Sequence, residues 1–497
     1  MSKRKTISSS PDEGQRPQSG KAPVPDSTAD AAASGLRARH SGEDRNALPT
    51  PSFPRKWESI GFASPKTWPA HTIGNLFDIG AGKSVTPQSR TQEPKAPFLR
   101  TSNVFWGRID TTEVDAMHFT PEESAAKTLL PGDLLVCEGG DIGRSAIWNG
   151  ELPQCSFQNH LHRLRPKRYE VVPHFFMYYL QAGFTQLGIY EGAGNKTTIP
   201  NLSRSRLASL EVPLPPKPEQ QKIAAVLWKL QRAIATQDRL LAATADLKQS
   251  AMQQLFTHGL HGEPLKHTEI GPMPRSWKPT SIGSIAKLSA GGTPSRGNPE
   301  YWQDGIIPWV KTGEVDYGVI LDTEEKITPL GLQNSAAKLL PKGTLLVAMY
   351  GQGVTRGKAA ILGIEATTNQ ACAAILADKK KVRTDFLFHT LAHGYERLRG
   401  LAHGGQQQNL NADLIRGFTF ARPQDTDEQR AIAAALATID KKLTHHRAKR
   451  AALHDLFETL LHKLMTAEIR VADLDTSDIT DHFADVGKMI DRPGKAS

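Results

Sequence analysis

Near the C-terminal end of the chain, apolar residues recur at alternating steps of four and three. The series starts at Ile432, runs through Leu436, Ile439 and Leu443, crosses the polar His446 and Arg450, and resumes at Leu453, Phe457, Leu460 and Leu464. A stripe of this kind keeps a narrow seam on one side of an α-helix. A second series in the same phase runs Ile223, Leu227, Leu230, Ile234, Gln237, Leu241, Thr244, Lys248, Ala251 and Leu255. Each predicts a helix of about 40 residues, roughly 60 Å long. At that length a single narrow seam predicts two helices packed on each other rather than two core helices of a globule. The first helix is entered through Pro213, Pro215, Pro216 and Pro218. Those prolines make a stiff connector, and Pro218 is tolerable in a first turn, where its missing N–H has no partner. The helix is expected to end at His258-Gly259, a cation in the last turn followed by a glycine cap.

Ahead of each helix the pattern changes. Short apolar runs after glycine turns, Leu134-Leu135-Val136-Cys137 and Leu345-Leu346-Val347-Ala348, read as strands. The segments around His174 to Gln181 and Asp385 to Leu391 read as short helices. Mixed α/β globules with many loops are expected.

These segments also repeat. Pro65-Lys66-Thr67-Trp68 matches Pro274-Arg275-Ser276-Trp277, Ile73-Gly74 matches Ile282-Gly283, Asn201-Leu202 matches Asn409-Leu410, and Glu219-Gln220 matches Glu428-Gln429, all at a separation of 208 or 209 residues. Leu130-Pro131-Gly132-Asp133-Leu134-Leu135 likewise matches the segment from Leu340 to Leu346. A period this long is a duplication, not a solenoid. The expected organisation is a disordered extension (1–64), a globule (65–217), a long helix (218–258), a linker (259–273), a second globule (274–427), a second long helix (428–465) and an acidic tail (466–497). The extension is rich in Ser, Pro and charge and poor in bulky apolar residues, so it cannot bury enough surface to fold.

Composition narrows the function. The net charge of +10 is spread over the body, which suits a polyanion partner. No apolar run spans a bilayer, and the N-terminus lacks the apolar core of a secretory signal, so a cytoplasmic protein is expected. Cys137, Cys155 and Cys372 are too few and too scattered for a disulfide framework or a structural zinc site and read as buried thiols. No metal site is expected, since His258, His261 and His267 lack further ligands. Gly80-Ala81-Gly82-Lys83-Ser84 resembles the end of a phosphate-binding loop, but the first glycine of that motif falls on Phe77. Asn298-Pro299-Glu300-Tyr301 departs from the Asn-Pro-Pro-Tyr of amino-methyltransferases at its third residue. Neither Gly-x-Ser-x-Gly nor His-Glu-x-x-His occurs. No catalytic residue is assigned.

What remains are polar, glycine-flanked loops at matching places in the two copies. The first copy has Glu138, Asp141 and Arg144, then Gln158-Asn159-His160, then Gly194-Asn195-Lys196; the second has Tyr350, Gln352, Thr355, Arg356 and Lys358, then Asn369-Gln370, then Gly404 to Gln408 with Gln406 and Gln407. Arg pairs with guanine, Asn and Gln with adenine, and carboxylates with cytosine, while Lys suits phosphates. Arg100, Asn103, Arg108, Lys311 and Glu314 complete the candidate DNA-binding set.

The segment at 213–224, Pro-Leu-Pro-Pro-Lys-Pro-Glu-Gln-Gln-Lys-Ile-Ala, resembles the junction between a target recognition domain and the central helix in specificity subunits of type I restriction–modification systems. Leu99 to Val104, Leu130 to Gly143 and Gly351 to Lys358 are similar to recognition-domain phrases of that family, and the likeness covers about residues 65 to 465. It implies a non-catalytic subunit in which each globule reads half of a split DNA target and the helices pack antiparallel as a rod that sets the gap. It further implies that methyltransferase subunits using S-adenosylmethionine dock on the chain, joined by restriction subunits that use ATP and Mg, with no cofactor on the chain itself. Two departures stand out: the second junction, Ala421 to Asp427, has only Pro423 and is expected to be looser, and the N-terminal extension lies outside the family pattern. A self-contained methyltransferase or nuclease and a coiled-coil tether without a nucleic-acid role are the alternatives.

Overall fold

In the computed structural model, Lys217–His258 forms one helix of 42 residues and Thr426–Met465 one of 40. The structure describes residues 68–188, 201–351, 354–402 and 409–471. The expected disorder of 1–64 and all but the start of the acidic tail lie outside these residues. With the globular helices Pro173–Thr185 and Thr384–His393, the helices are numbered α1 (Pro173–Thr185), α2 (Lys217–His258), α3 (Thr384–His393) and α4 (Thr426–Met465).

The ends of α2 and α4 follow local chemistry. Pro216 and Pro218 open α2, and at its far end Gly259, at φ +68°, donates its amide to the Leu255 carbonyl at 3.1 Å. Only a residue tolerant of positive φ closes a helix this way. Asp425 caps α4 by accepting from the Asp427 amide at 2.9 Å.

α2 and α4 pack antiparallel. Ile223 and Leu227, early in α2, share a core with Phe457, Leu461, Leu464 and Met465, late in α4. Met252 and Phe256, late in α2, share another with Ile432, Ala433 and Leu436, early in α4. The residues that interrupt the apolar stripes hold the middle: His446 Nδ1 lies 2.9 Å from Gln237 Oε1, Arg450 pairs with Asp238 at 2.5 Å and Lys248 with Asp440 at 2.5 Å. Of the seam residues named from the sequence, Ile223, Leu227, Ile432, Leu436, Leu443, Phe457 and Leu464 are buried, and Leu230, Ile234, Leu241, Leu255, Ile439, Leu453 and Leu460 are half-buried.

The rod is therefore no free-standing coiled coil, because each end is part of a globule. Trp68, Phe175, Phe176 and Tyr179 join the first core, and Trp277, Phe386, Leu387 and Phe420 the second. Two residues of each repeat make the attachment. The Trp68 indole donates to Glu219 at 3.2 Å, and the Trp277 indole to Glu428 at 3.1 Å. Buried Gln220 accepts from the Val172 amide and donates to the Glu170 and Pro215 carbonyls; buried Gln429 accepts from the Arg383 amide and donates to the Lys381 and Pro423 carbonyls. The second junction, expected to be looser for want of prolines, makes the same bonds as the first. Side chains, more than prolines, form the bracket.

Each globule repeats one topology. In the first, strands Phe77–Ala81, Leu161–Pro166, Leu134–Cys137 and Ser145–Ile147 lie side by side in that order. In the second the order is Ala286–Ala290, Cys372–Ala377, Leu345–Ala348, Ala359–Leu362, with Val319–Ile320 added at the edge. A three-stranded sheet flanks each, Asp115–His118, Lys95–Leu99, Ser156–Phe157 in one and Glu325–Ile327, Ile307–Val310, Thr367–Thr368 in the other. Gly82 and its counterpart Gly291 sit where a Cβ would come within 2.2 Å of the Gln158 and Thr368 carbonyl oxygens. Close backbone approach, not phosphate binding, accounts for the glycine-rich turn, and Lys83 spends its ammonium on the His118 carbonyl and the Glu123 carboxylate. All three cysteines are buried free thiols, which burial pushes up to about 11 for Cys137 and about 12 for Cys155 and Cys372.

Candidate nucleic-acid interface

Three loops meet at one end of the first sheet. The loop of residues 138–144 joins two sheet strands, and Glu138 donates its amide to the His160 carbonyl at 2.9 Å, which brings the Gln158-Asn159-His160 loop alongside. The Gln158 amide donates to the Leu99 carbonyl at 2.9 Å, which adds the turn Thr101–Asn103. Side chains tighten the cluster. Arg144 pairs with Asp141 at 3.0 Å, donates to the Thr101 carbonyl at 3.2 Å and lies 5.4 Å from the Phe105 ring, whose centre is 4.5 Å from the Arg108 guanidinium. His160, exposed, is 3.8 Å from Glu138. Arg100 pairs with Asp115. Asn103 is buried and gives its amide to shape, accepting from the Arg100 amide and donating to the Asp110 and Glu113 carbonyls.

The second globule builds the same meeting of loops. Met349 donates to the Ala371 carbonyl at 2.8 Å, as Glu138 does to His160. Lys311 and Glu314 take the places of Arg100 and Asn103: Glu314 accepts from the Lys311 and Glu324 amides, and Lys311 pairs with Glu324 at 2.5 Å and Glu325 at 3.3 Å. Those carboxylates, Glu324 foremost, hold the Lys311 ammonium above the ordinary lysine range. Asn369 exchanges hydrogen bonds with Thr312, and the exposed Gln370 accepts from Thr293. Tyr350 is 43% exposed. Thr355, Arg356 and Lys358 lie half-buried in the loop before Ala359–Leu362, with Lys358 paired to Asp316 at 2.6 Å. The Leu202 and Leu410 amides donate to the Glu138 and Met349 carbonyls, a further bond common to the two copies. Lys196, Gln352, Gln406 and Gln407 lie outside the described residues.

Several participants fall outside the set expected from sequence. Phe105, Asp115 and Asp316 are three of them. Another is the aromatic–cation cluster in which Tyr395 donates to the Val354 carbonyl at 2.5 Å, Arg399 donates to the Tyr395 hydroxyl at 2.9 Å, and Tyr317 packs edge-on against Tyr395. The local signal for them is confined to the aromatic-basic stretch Phe105-Trp106-Gly107-Arg108. Asn298-Pro299-Glu300-Tyr301 forms a capped turn, with the Asn298 side chain accepting from the Glu300 amide at 3.1 Å. Among the described residues no His, Cys, Asp and Glu side chains cluster as a metal site, and no helix is long and apolar enough to cross a membrane.

Comparisons with known proteins agree with this duplicated plan. The chain is 23% identical over 415 residues to a putative type I restriction enzyme MjaX specificity subunit of Methanocaldococcus jannaschii, covering 82% of this chain and 95% of that protein. It is 24% identical over 245 residues to the EcoR124I/EcoR124II specificity subunit of Escherichia coli, covering 49% of this chain and 57% of the other. Its fold is similar to the crystal structure of the type I restriction–modification S subunit from M. genitalium, with a TM-score of 0.54 at 17% identity over 80% of this chain and 96% of that one. The sequence model of one family, described as type I restriction modification DNA specificity domain, matches twice, at residues 65–243 and 274–454. Each match takes in one globule and most of the helix that follows it, so the chain belongs to the type I restriction–modification DNA specificity family and carries two copies of its domain.

Proposed function

We propose that this chain is the DNA-specificity subunit of a type I restriction–modification complex, in which each globule reads one half of a split target and the rod sets the gap. The observation that carries the reading is the same three-loop cluster built twice, at opposite ends of an antiparallel helix pair. Within each cluster, guanidinium, carboxylate and amide groups stand side by side on glycine-flanked loops, as reading base edges requires. Arg144 and Arg356 are assigned to base reading, with Asp141, His160, Tyr350, Thr355, Gln158, Asn159 and Gln370 beside them. Arg100, Arg108, Lys311 and Lys358 are assigned to phosphates or to holding the loops. Asn103, Glu314 and Asn369 shape the turns beneath. Lys196, Gln352, Gln406 and Gln407 are kept in the DNA-binding set on their sequence alone.

The chain is non-catalytic in this reading and holds no cofactor. Methyl transfer from S-adenosylmethionine belongs to modification subunits docked on the rod, and ATP- and Mg-dependent cleavage to restriction subunits. The test is to map methylated bases genome-wide in cells with and without the chain, the methyltransferase subunit being present in both. A split motif methylated only when the chain is present is the expected result. An unchanged map under an active methyltransferase would sink the reading and favour a tether.

A further inference from the structure

The rod is duplicated in its backbone but not in its surface. Gln237 and His446 occupy matched places in the two helices, and around them the copies have diverged: α4 carries Lys442, His445, Arg447 and Lys449 where α2 carries Ala233, Thr236, Asp238 and Leu240. Those four residues of α4 are exposed, as is Lys441. Lys441, His445 and Lys449 follow at four-residue steps and Lys442 stands three before His445, so all four share one outer face of α4. Two of the acids along the rod are paired elsewhere, Asp440 with Lys248 at 2.5 Å and Asp238 with Arg450 at 2.5 Å. Lys441, Lys442 and Lys449 form no ion pair with any described residue. The α2 side is more apolar there, with Leu240 39% and Leu247 54% exposed, seven residues apart on one face. The exposed cations of α2, Lys229, Arg232 and Arg239, are fewer and stand beside Asp238, whereas those of α4 are bunched on one face.

We propose that the outer face of α4 at Lys441, Lys442, His445 and Lys449 docks on phosphates of the DNA gap between the two half-sites. The proposal rests on the specificity reading given above. Like charges at four-residue steps weaken a helix, so a run of this kind is a standing cost unless a partner neutralises it. The face lies beside the Gln237–His446 contact at the middle of the rod, midway between the globules, where a duplex held at both ends crosses the gap. No base needs reading there, and lysine, a flexible point charge, suits phosphate contacts that carry no sequence information. From Lys441 to Lys449 the helix rises about 12 Å, a length over which duplex DNA presents about seven phosphate charges.

The experiment uses the chain assembled with its methyltransferase subunits. The duplex carries the split target that methylation mapping defines, and a second duplex has neutral methylphosphonate linkages in the gap alone. The wild type is expected to bind the gap-neutralised duplex about tenfold or more weakly, and the slope of log K against log salt is expected to become shallower by about 2–3. The K441Q/K442Q/K449Q variant is expected to bind both duplexes alike with the shallower slope, while K441R/K442R/K449R keeps the wild-type behaviour. A wild type that selects the split target but ignores the gap phosphates overturns the proposal and leaves the specificity reading standing. Silent gap phosphates with loss of methyltransferase association in the glutamine variant also overturn it and assign the face to a protein partner. Failure of the wild type to prefer the split target over a scrambled duplex sinks the specificity reading and the gap contact together.

Discussion

Gln220 and Gln429 each spend a whole side-chain amide on backbone groups that have no water to turn to. Truncating either leaves a buried amide N–H and two carbonyls without this partner, so Gln429→Ala should cost about 2–4 kcal/mol. Denaturant titration checks it, and Arg430→Ala, one residue on at the exposed helix surface, should change stability little beside it. At the proposed reading surface, Arg356→Ala should relax preference at a single half-site by about 1–3 kcal/mol, measured by competition between variant targets. A uniform loss on all sequences would instead make Arg356 a phosphate contact. Both residues lie in phrases visible in the sequence, but only Arg356 has a task legible there. Glu219-Gln220 and Glu428-Gln429 mark the repeat, and nothing local indicates that they are the fastening.

The long helices are the most legible elements, because a stripe of ten positions at alternating four- and three-residue steps fits little besides a packed helix. The same stripe misleads on one point. His446 and Arg450, interruptions in the sequence, are contacts with Gln237 and Asp238 in the structure. A polar residue in a seam is explained only by the residue across from it, which periodicity along one helix does not supply. The loop clusters are legible by position and not by content for a similar reason. Phe105 gains meaning from Arg108 and Arg144, and Tyr395 from Val354 and Arg399, groups brought together by the fold rather than by any repeating pattern. If the rod is the ruler, its length is the quantity to change. Adding one helical turn to both α2 and α4, between Gln237 and the second globule in α2 and at the facing place in α4, lengthens it by about 5.4 Å. The preferred gap should then grow by one or two base pairs while both half-sites stay the same, as methylation mapping of the variant would read out. An unchanged gap would show that something other than the rod sets the spacing.

Across the whole molecule, buried histidines make the fold sensitive to acid. Burial holds His162 in the first globule and His389 in the second below the ordinary histidine range, His389 at about 4. The unfolded chain, with ordinary histidines near 6.5, then binds more protons than the folded one below that pH. Their contribution to stability is complete above about pH 6.5 and is lost as pH falls towards 4, with His389 alone accounting for about 2 kcal/mol by pH 5. Urea midpoints at about pH 7.5 and pH 5 should differ accordingly, and His389→Leu should flatten the difference. An equal drop in wild type and variant would place the acid lability elsewhere.

The contact at the centre of the rod has a consequence for the history of the chain. A residue touching its own duplicate is the mark of an isologous interface, the kind that a two-fold homodimer makes. In a homodimer the same side chain must stand on both sides of the axis. Gln237 and His446 differ, and the pair they form, an imidazole N–H given to an amide oxygen, is closed to a homodimer of one repeat. With two unlike copies in one chain, the axis position need not complement itself, and the two sides of the rod can be chemically unlike.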